Sequence, residues 1–157
     1  FFVIANSFAV TTGSLVSNAI GARARNELFP ICHKVLKLGY AVGIPFVVVA
    51  LLCNRWIVSF YTDNELLIEL AFAPFVVMLL NYTFALPGYV YLNAVGGTGK
   101  TKITFLFQVT TTCVYLVYLY WLSFCIKASL SLYLTAEYLF VILLALQSII
   151  HLKSKHY

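Results

Sequence analysis

The sequence predicts an all-α fold, a polytopic bundle of five transmembrane helices with the N-terminus outside and the C-terminus in the cytoplasm. Three observations carry that reading. First, the chain is 62% hydrophobic and only 10% charged, where a soluble domain carries about 25% charged residues; folded in water it would expose far too much apolar surface. Second, its apolar residues fall into five runs, each long enough for the ~20 residues that a helix needs to cross the hydrocarbon core. Third, the charges collect in the short connections, and most of the basic ones share one side.

The first span covers residues 1–21. The chain begins at Phe1 directly in apolar sequence, without the basic leader and small-residue cleavage site of a signal peptide. The expectation is therefore a chain that starts inside a helix, with further sequence upstream. The second span covers about 35–60, the third 66–95, the fourth 103–126 and the fifth 132–152. Thr62 and Glu65 have the spacing of a capping box and are expected to open the third span. Gly96, Gly97 and Gly99 close it and permit a tight turn.

Lys and Arg set the direction. With loops on alternating sides, one side receives Arg23, Arg25, Lys34, Lys37, Lys100, Lys102, Lys153 and Lys155, and the other only Arg55 and Lys127. The basic side faces the cytoplasm by the positive-inside rule. Tyr61, Tyr133 and Tyr138 then fall near the outer interface, where aromatic belts occur.

One stretch suggests different chemistry. Ala94–Thr101 reads A-x-x-x-x-G-K-T, a loose form of the phosphate-cradling P-loop. That motif works only between a buried strand and a helix, with an Asp elsewhere to hold magnesium. Here the preceding run is too long for a strand and contains Pro74 and Pro87. Asp63, the chain's one Asp, lies on the outer side. The glycine turn with Lys100 and Lys102 as cytoplasmic anchors is the better reading, so no nucleotide is expected at Ala94–Thr101, no nucleic-acid partner, and no enzyme. Cys32, Cys53, Cys113 and Cys125 form no C-x-x-C pair and read as small apolar filler rather than as a disulfide framework or metal site.

The middles of the spans differ in polarity. A span has its midpoint about ten residues from either end. That point lies near Thr11 in the first span, near Asn81 and Thr83 in the third, and between Thr111 and Tyr115 in the fourth. The second and fifth are apolar there, with "FVVVALL" and "LFVILLALQ". Polar groups in hydrocarbon need partners or water, so the first, third and fourth spans are expected to face a polar interior and the other two mostly lipid. In the first span Ser7, Thr11, Ser14 and Asn18 fall within about 60° of helical arc. That stripe is either a set of hydroxyls bonded to backbone or neighbours, or the wall of a wet cavity. The candidate cavity lining is Ser7, Thr11, Ser14, Asn18, Asn81, Thr83, Thr111, Tyr115 and Tyr118; Tyr115, Tyr118 and Trp121 are neighbours that could also offer aromatic faces to a cation. Gly13, Ser17 and Gly21 form a small-residue ridge, and Gly39 and Gly43 a G-x-x-x-G pair, both suited to close helix packing. Pro87 and Gly88 interrupt the third span's hydrogen-bond ladder and are the candidate hinge. Glu69 and Glu137, counted from the nearer helix ends, sit toward the outer side. On that count a coupling acid, if one is used, lies outside this chain.

Three stretches together resemble one family. "SLVSNAIGARARNE" resembles the s-x-x-v-x-x-x-x-G-x-x-r pattern that closes a span in multidrug and toxic compound extrusion (MATE) carriers. "IVSFYTDNELLIELA" is similar to their f-t-d-d-x-x-v-x-x-x-A connection, and "AVGGTGKTK" to their G-x-G-x-t-k turn. The resemblance implies a carrier of twelve helices in two six-helix lobes, within the wider MOP flippase superfamily. This chain would be the last five helices of the C-terminal lobe, and its partners the lipid bilayer, the N-terminal lobe and organic cation substrates. The implied activity is secondary active, cation-coupled antiport of drugs by alternating access, in a bacterial cytoplasmic (inner) membrane. It would use no cofactor beyond a coupling proton or sodium ion. Some family members carry an acid near the position of Ala85; this chain has none there, with only Asn81 and Thr83 close, which favours a proton route through the other lobe. Two alternatives stand beside it: a related flippase of lipid-linked saccharides, and a non-transporting membrane subunit.

Overall fold

The computed structural model describes residues 2–126 and 130–154; Phe1, Lys127, Lys155 and the side chain of Cys125 lie outside the described residues. The described chain is helical throughout: α1 (Phe2–Gly21), α2 (Leu28–Leu52), the short α3 (Asn54–Ser59), α4 (Glu65–Gly97), α5 (Thr101–Trp121) and α6 (Leu130–Ser154). A single 3₁₀ turn, Arg25–Glu27, leads into α2, and a π-helical stretch, Leu122–Ile126, prolongs α5. Five of these segments are long and apolar enough to cross a membrane. All five correspond to the spans expected from sequence.

Two element boundaries differ from expectation for local reasons. α2 begins at Leu28 rather than 35, because Pro30 stands in the first turn, where a missing N–H has no intrahelical acceptor to lose. It ends at Leu52. There the Asn54 side chain donates to the Leu51 carbonyl at 2.7 Å, competing with the ladder as short amide side chains do, and the remaining turn forms the separate α3.

The start of α4 is where expected, but its cap is a different residue. Asn64 is the N-cap, in extended conformation, and its side chain accepts from the Leu66 amide at 3.0 Å. Thr62 instead accepts from the Asn64 amide at 3.2 Å, two residues too early to be the cap. Asn64→Ala is therefore expected to cost about 1 kcal/mol and to speed amide hydrogen exchange at Leu66. Faster exchange there in Thr62→Ala but not in Asn64→Ala would return the cap to Thr62.

α4 is the hub of the bundle, packed by α1, α2, α5 and α6. The contacts fix the helix directions. Gly13 approaches Asn93 while Ser17 Oγ donates to the Gly97 carbonyl at 2.9 Å, so α1 runs parallel to α4. Gly39 meets Leu86 and Gly43 meets Tyr82, so α2 runs antiparallel. Phe84 packs on Tyr138 and Gly88 on Val141, which makes α6 parallel again. Phe107 meets His151 and Tyr115 meets Phe140, setting α5 against α6. This alternation is the one the loop-charge count requires.

The small-residue ridges serve these crossings. A Cβ at Gly97 would stand 2.5 Å from the Gly13 carbonyl oxygen, so α1 and α4 touch through backbone. Gly39 and Gly43 seat Leu86 and the Tyr82 ring, and the Tyr82 hydroxyl donates to the Gly39 carbonyl at 2.8 Å. Gly21 takes no part; nothing lies within 4 Å of where its Cβ would be. Gly99 (φ 84°) supplies the left-handed residue of the α4–α5 turn, so the run Ala94–Thr101 joins helix to helix with no strand before it.

Burial within the described bundle differs between α5 and α6. α5 has Thr111 as its one buried residue, whereas α6 buries Ala136, Val141, Leu144, Ser148 and Leu152. In the middle of α5, Thr110 donates to the carbonyls of Leu106 and Phe107, whereas the Thr111 hydroxyl is buried without a partner. The apolar middle of α2 does face outward, with Val48 and Val49 about half exposed. Cys32 is buried, while Cys53 and Cys113 lie on the apolar exterior.

Candidate functional site

A cavity of about 570 Å³ opens between α1, α4 and α6, within the 300–1,000 Å³ range of small-molecule sites. α4 supplies Phe75, Asn81, Tyr82 and Ala85, α6 supplies Leu134 and Glu137, and α1 reaches it only through Phe2 and Ala5. The walls are mostly apolar and aromatic. Two groups break that character. Asn81 Oδ1 is buried with no hydrogen-bond partner, and Glu137 brings a carboxylate whose Oε1 accepts from the Tyr115 hydroxyl at 3.3 Å. The other polar wall residue, Tyr82, has its hydroxyl committed to the Gly39 carbonyl.

The residues marked by sequence separate into three groups. Asn81 lines the cavity, and Tyr115 touches it through Glu137. Ser7, Thr11, Ser14 and Asn18 lie on an exposed face of α1, away from the cavity. There Ser7 and Thr11 donate to the carbonyls four residues back at 2.9 and 2.8 Å, and Ser14 does so at 3.5 Å. Thr83, Thr111 and Tyr118 are elsewhere. Thr83 is exposed, its carbonyl taken by Tyr40. Thr111 is buried with an unpartnered hydroxyl, and Tyr118 stacks on Trp121. Pro87 and Gly88 lie within an unbroken α4. A Cβ at Gly88 would stand 2.7 Å from the Val141 carbonyl oxygen, so this glycine is a close-packing point against α6.

Glu137 is the residue that sequence reasoning passed over. Counted along α6 it is near the outer end. The contacts Phe84–Tyr138 and Gly88–Val141 align it instead with about residue 84 of α4, roughly 4.5 Å along the axis from Asn81 at 1.5 Å per residue. Asn81 is the central residue of the 33 in α4. The carboxylate therefore lies near the middle of α4 along the helix axis. The signal was present in the sequence, a lone acid with apolar residues on both sides in "LTAEYLFVILL"; the vertical offset between helices was not. The Tyr138 hydroxyl donates to the Val77 carbonyl between α4 and α6. Among the described residues no group of three His, Cys, Asp or Glu could hold a metal ion.

Comparison with known proteins adds one match. The model of the MatE family matches residues 1–121, spanning α1 to α5. No curated protein and no solved structure matches the chain significantly.

Proposed function

The chain belongs to the MatE family, whose members are membrane transporters and not enzymes, and from this premise we propose that it works as part of a cation-coupled antiporter that exports organic cations by alternating access. The carrying observation is that the family match extends across four of the five spans. The fifth, α6, packs on the same hub helix. The five spans form one lobe of a two-lobe carrier in this reading. Its C-terminal end and the α4–α5 turn face the cytoplasm, supported by the eight basic residues on that side against two on the other. The site of action is the cytoplasmic membrane, the bilayer across which efflux has to run.

The described geometry suits that work in two ways. Parallel α1, α4 and α6 meet through glycine and small residues, which lets a lobe move as one body. The polar groups Asn81, Tyr82 and Glu137 line a cavity between helices, where a cargo could reach them without crossing lipid. In cells, expression of the complete protein is expected to lower ethidium accumulation relative to cells without it. Equal accumulation for ethidium and several other lipophilic cations would count against efflux.

A further inference from the structure

One end of the bundle is basic. Ser17 on the Gly97 carbonyl and Gly39 against Leu86 put the C-terminal ends of α1 and α4 beside the N-terminal end of α2. The described Lys and Arg residues of this end run from Arg23 to Lys153 and meet one acid, Glu27. The opposite end has Arg55 against Asp63, Glu65 and Glu69. Four of the basic residues gather where the α1–α2 connection enters α2. Arg23 and Arg25 stand in the connection, Lys34 and Lys37 about two turns into the helix. All four are exposed, and none has an ion-pair partner among the described residues.

This shoulder is cationic above and apolar below. Lys34 and Lys37 share a face of α2 with Leu38 and Val42, which are 59% and 43% exposed. The same exterior continues to Val48 and Val49. Helix side chains lean toward the N-terminus, here the basic end, so lysine heads on a spanning helix reach back toward the headgroup layer. Arg23 adds an independent observation. Its φ is 60°, the one positive value among the described non-glycine residues. Beside it the Ala24 amide donates to the Ala19 carbonyl and the Arg23 amide to that of Ile20, a Schellman turn whose left-handed residue is usually glycine. The turn gains nothing from an arginine there; what the residue adds is a guanidinium at the shoulder.

We propose that this shoulder binds an acidic phospholipid of the leaflet at this end. Its anionic headgroup lies among Arg23, Arg25, Lys34 and Lys37, and an acyl chain follows Leu38 and Val42. A soluble anion would complement only the upper half of the surface; a molecule with an anionic head and apolar chains complements both. The site requires that α2 span a bilayer and is independent of what the protein carries.

Native mass spectrometry of the purified complete protein in detergent tests this, with phosphatidylglycerol and phosphatidylcholine of identical acyl chains added in turn. The wild-type protein should retain phosphatidylglycerol preferentially. Each basic residue near an anionic lipid surface is worth about 5-fold in affinity. The double variant Lys34→Gln, Lys37→Gln should therefore bind phosphatidylglycerol about 30-fold more weakly, with phosphatidylcholine adducts unchanged. Arg55→Gln, at the opposite end, should leave both lipids as they are. Arg23→Gly should melt at a higher temperature without lipid, because the left-handed strain is relieved, yet bind phosphatidylglycerol about 5-fold more weakly. Equal retention of the two lipids by the wild-type protein would overturn the proposal. So would unchanged binding in the double variant, which would mean that other protein covers this face or that the lipid sits elsewhere. An equal loss in Arg55→Gln would reduce the effect to diffuse charge, and displacement by equimolar inorganic phosphate would make this an anion site with no lipid recognition; either result overturns it. The wild-type comparison of two lipids needs no variant, so it decides the matter even where the double variant does not fold.

Discussion

Gly43→Ala is expected to destabilise the complete protein strongly, and its effect should be coupled to Tyr82. A methyl at this position on α2 would overlap the Tyr82 ring itself. That ring has little freedom to yield: Tyr82 is 3% exposed and its hydroxyl is held by the Gly39 carbonyl. Inserting a methyl into such a contact costs about 1–3 kcal/mol, and losing the hydrogen bond adds about 1 kcal/mol. The gain in helix propensity from Gly to Ala, about 1 kcal/mol, works the other way and is outweighed. Tyr82→Ala alone removes the ring at a cost of about 3–5 kcal/mol. The double variant should be more stable than the sum of the two, with a coupling of about 2 kcal/mol, because the methyl then enters space the ring has vacated. Thermal unfolding in detergent of the four proteins measures this. Additive effects would mean that α2 and α4 do not cross at Gly43.

The second large effect concerns Gly88, where packing and hinging predict opposite signs. If the glycine's flexibility is what α4 uses, Gly88→Ala stiffens the helix, slows transport and stabilises the folded state by about 1 kcal/mol through propensity. The geometry argues for packing. The new methyl would lie 2.7 Å from the Val141 carbonyl oxygen, and a backbone atom cannot rotate out of the way as a side-chain tip can. α4 and α6 would have to part, at a net cost of about 2 kcal/mol. The same separation would disturb the Phe84–Tyr138 contact and the cavity wall one turn away. A lower melting temperature with weaker cation binding supports packing; a higher melting temperature with slower transport supports the hinge.

Much of the bundle was legible because its rules are local. A run of apolar residues of membrane length becomes a helix wherever it sits, since backbone N–H and C=O groups in hydrocarbon have no other partners. The ridges Gly13/Ser17 and Gly39/Gly43 were legible for a related reason: spacing by four puts small residues on one helix face, and close approach follows. Errors arose where two local options competed. Thr62 has the capping-box spacing, but the backbone places Asn64 at the N-cap. The apolar run predicts a second span from about 35, but α2 starts at Leu28 with Pro30 tolerated in its first turn.

The sequence by itself determined the number of spans, their all-α character, the crossing points on small residues and the family. Only the tertiary structure decided which polar groups meet, because that depends on how far each helix is shifted along its neighbour, and no periodicity within a single helix encodes that shift. α4 has 33 residues and α6 has 25, so the ends of one do not give depth in the other. Their contact, set by Gly88 on Val141 and Phe84 on Tyr138, brings Glu137 to the level of Asn81. The same packing turns the α1 hydroxyl stripe outward, because the small and apolar face with Ala5, Ala9 and Val16 is the one that fits against α4.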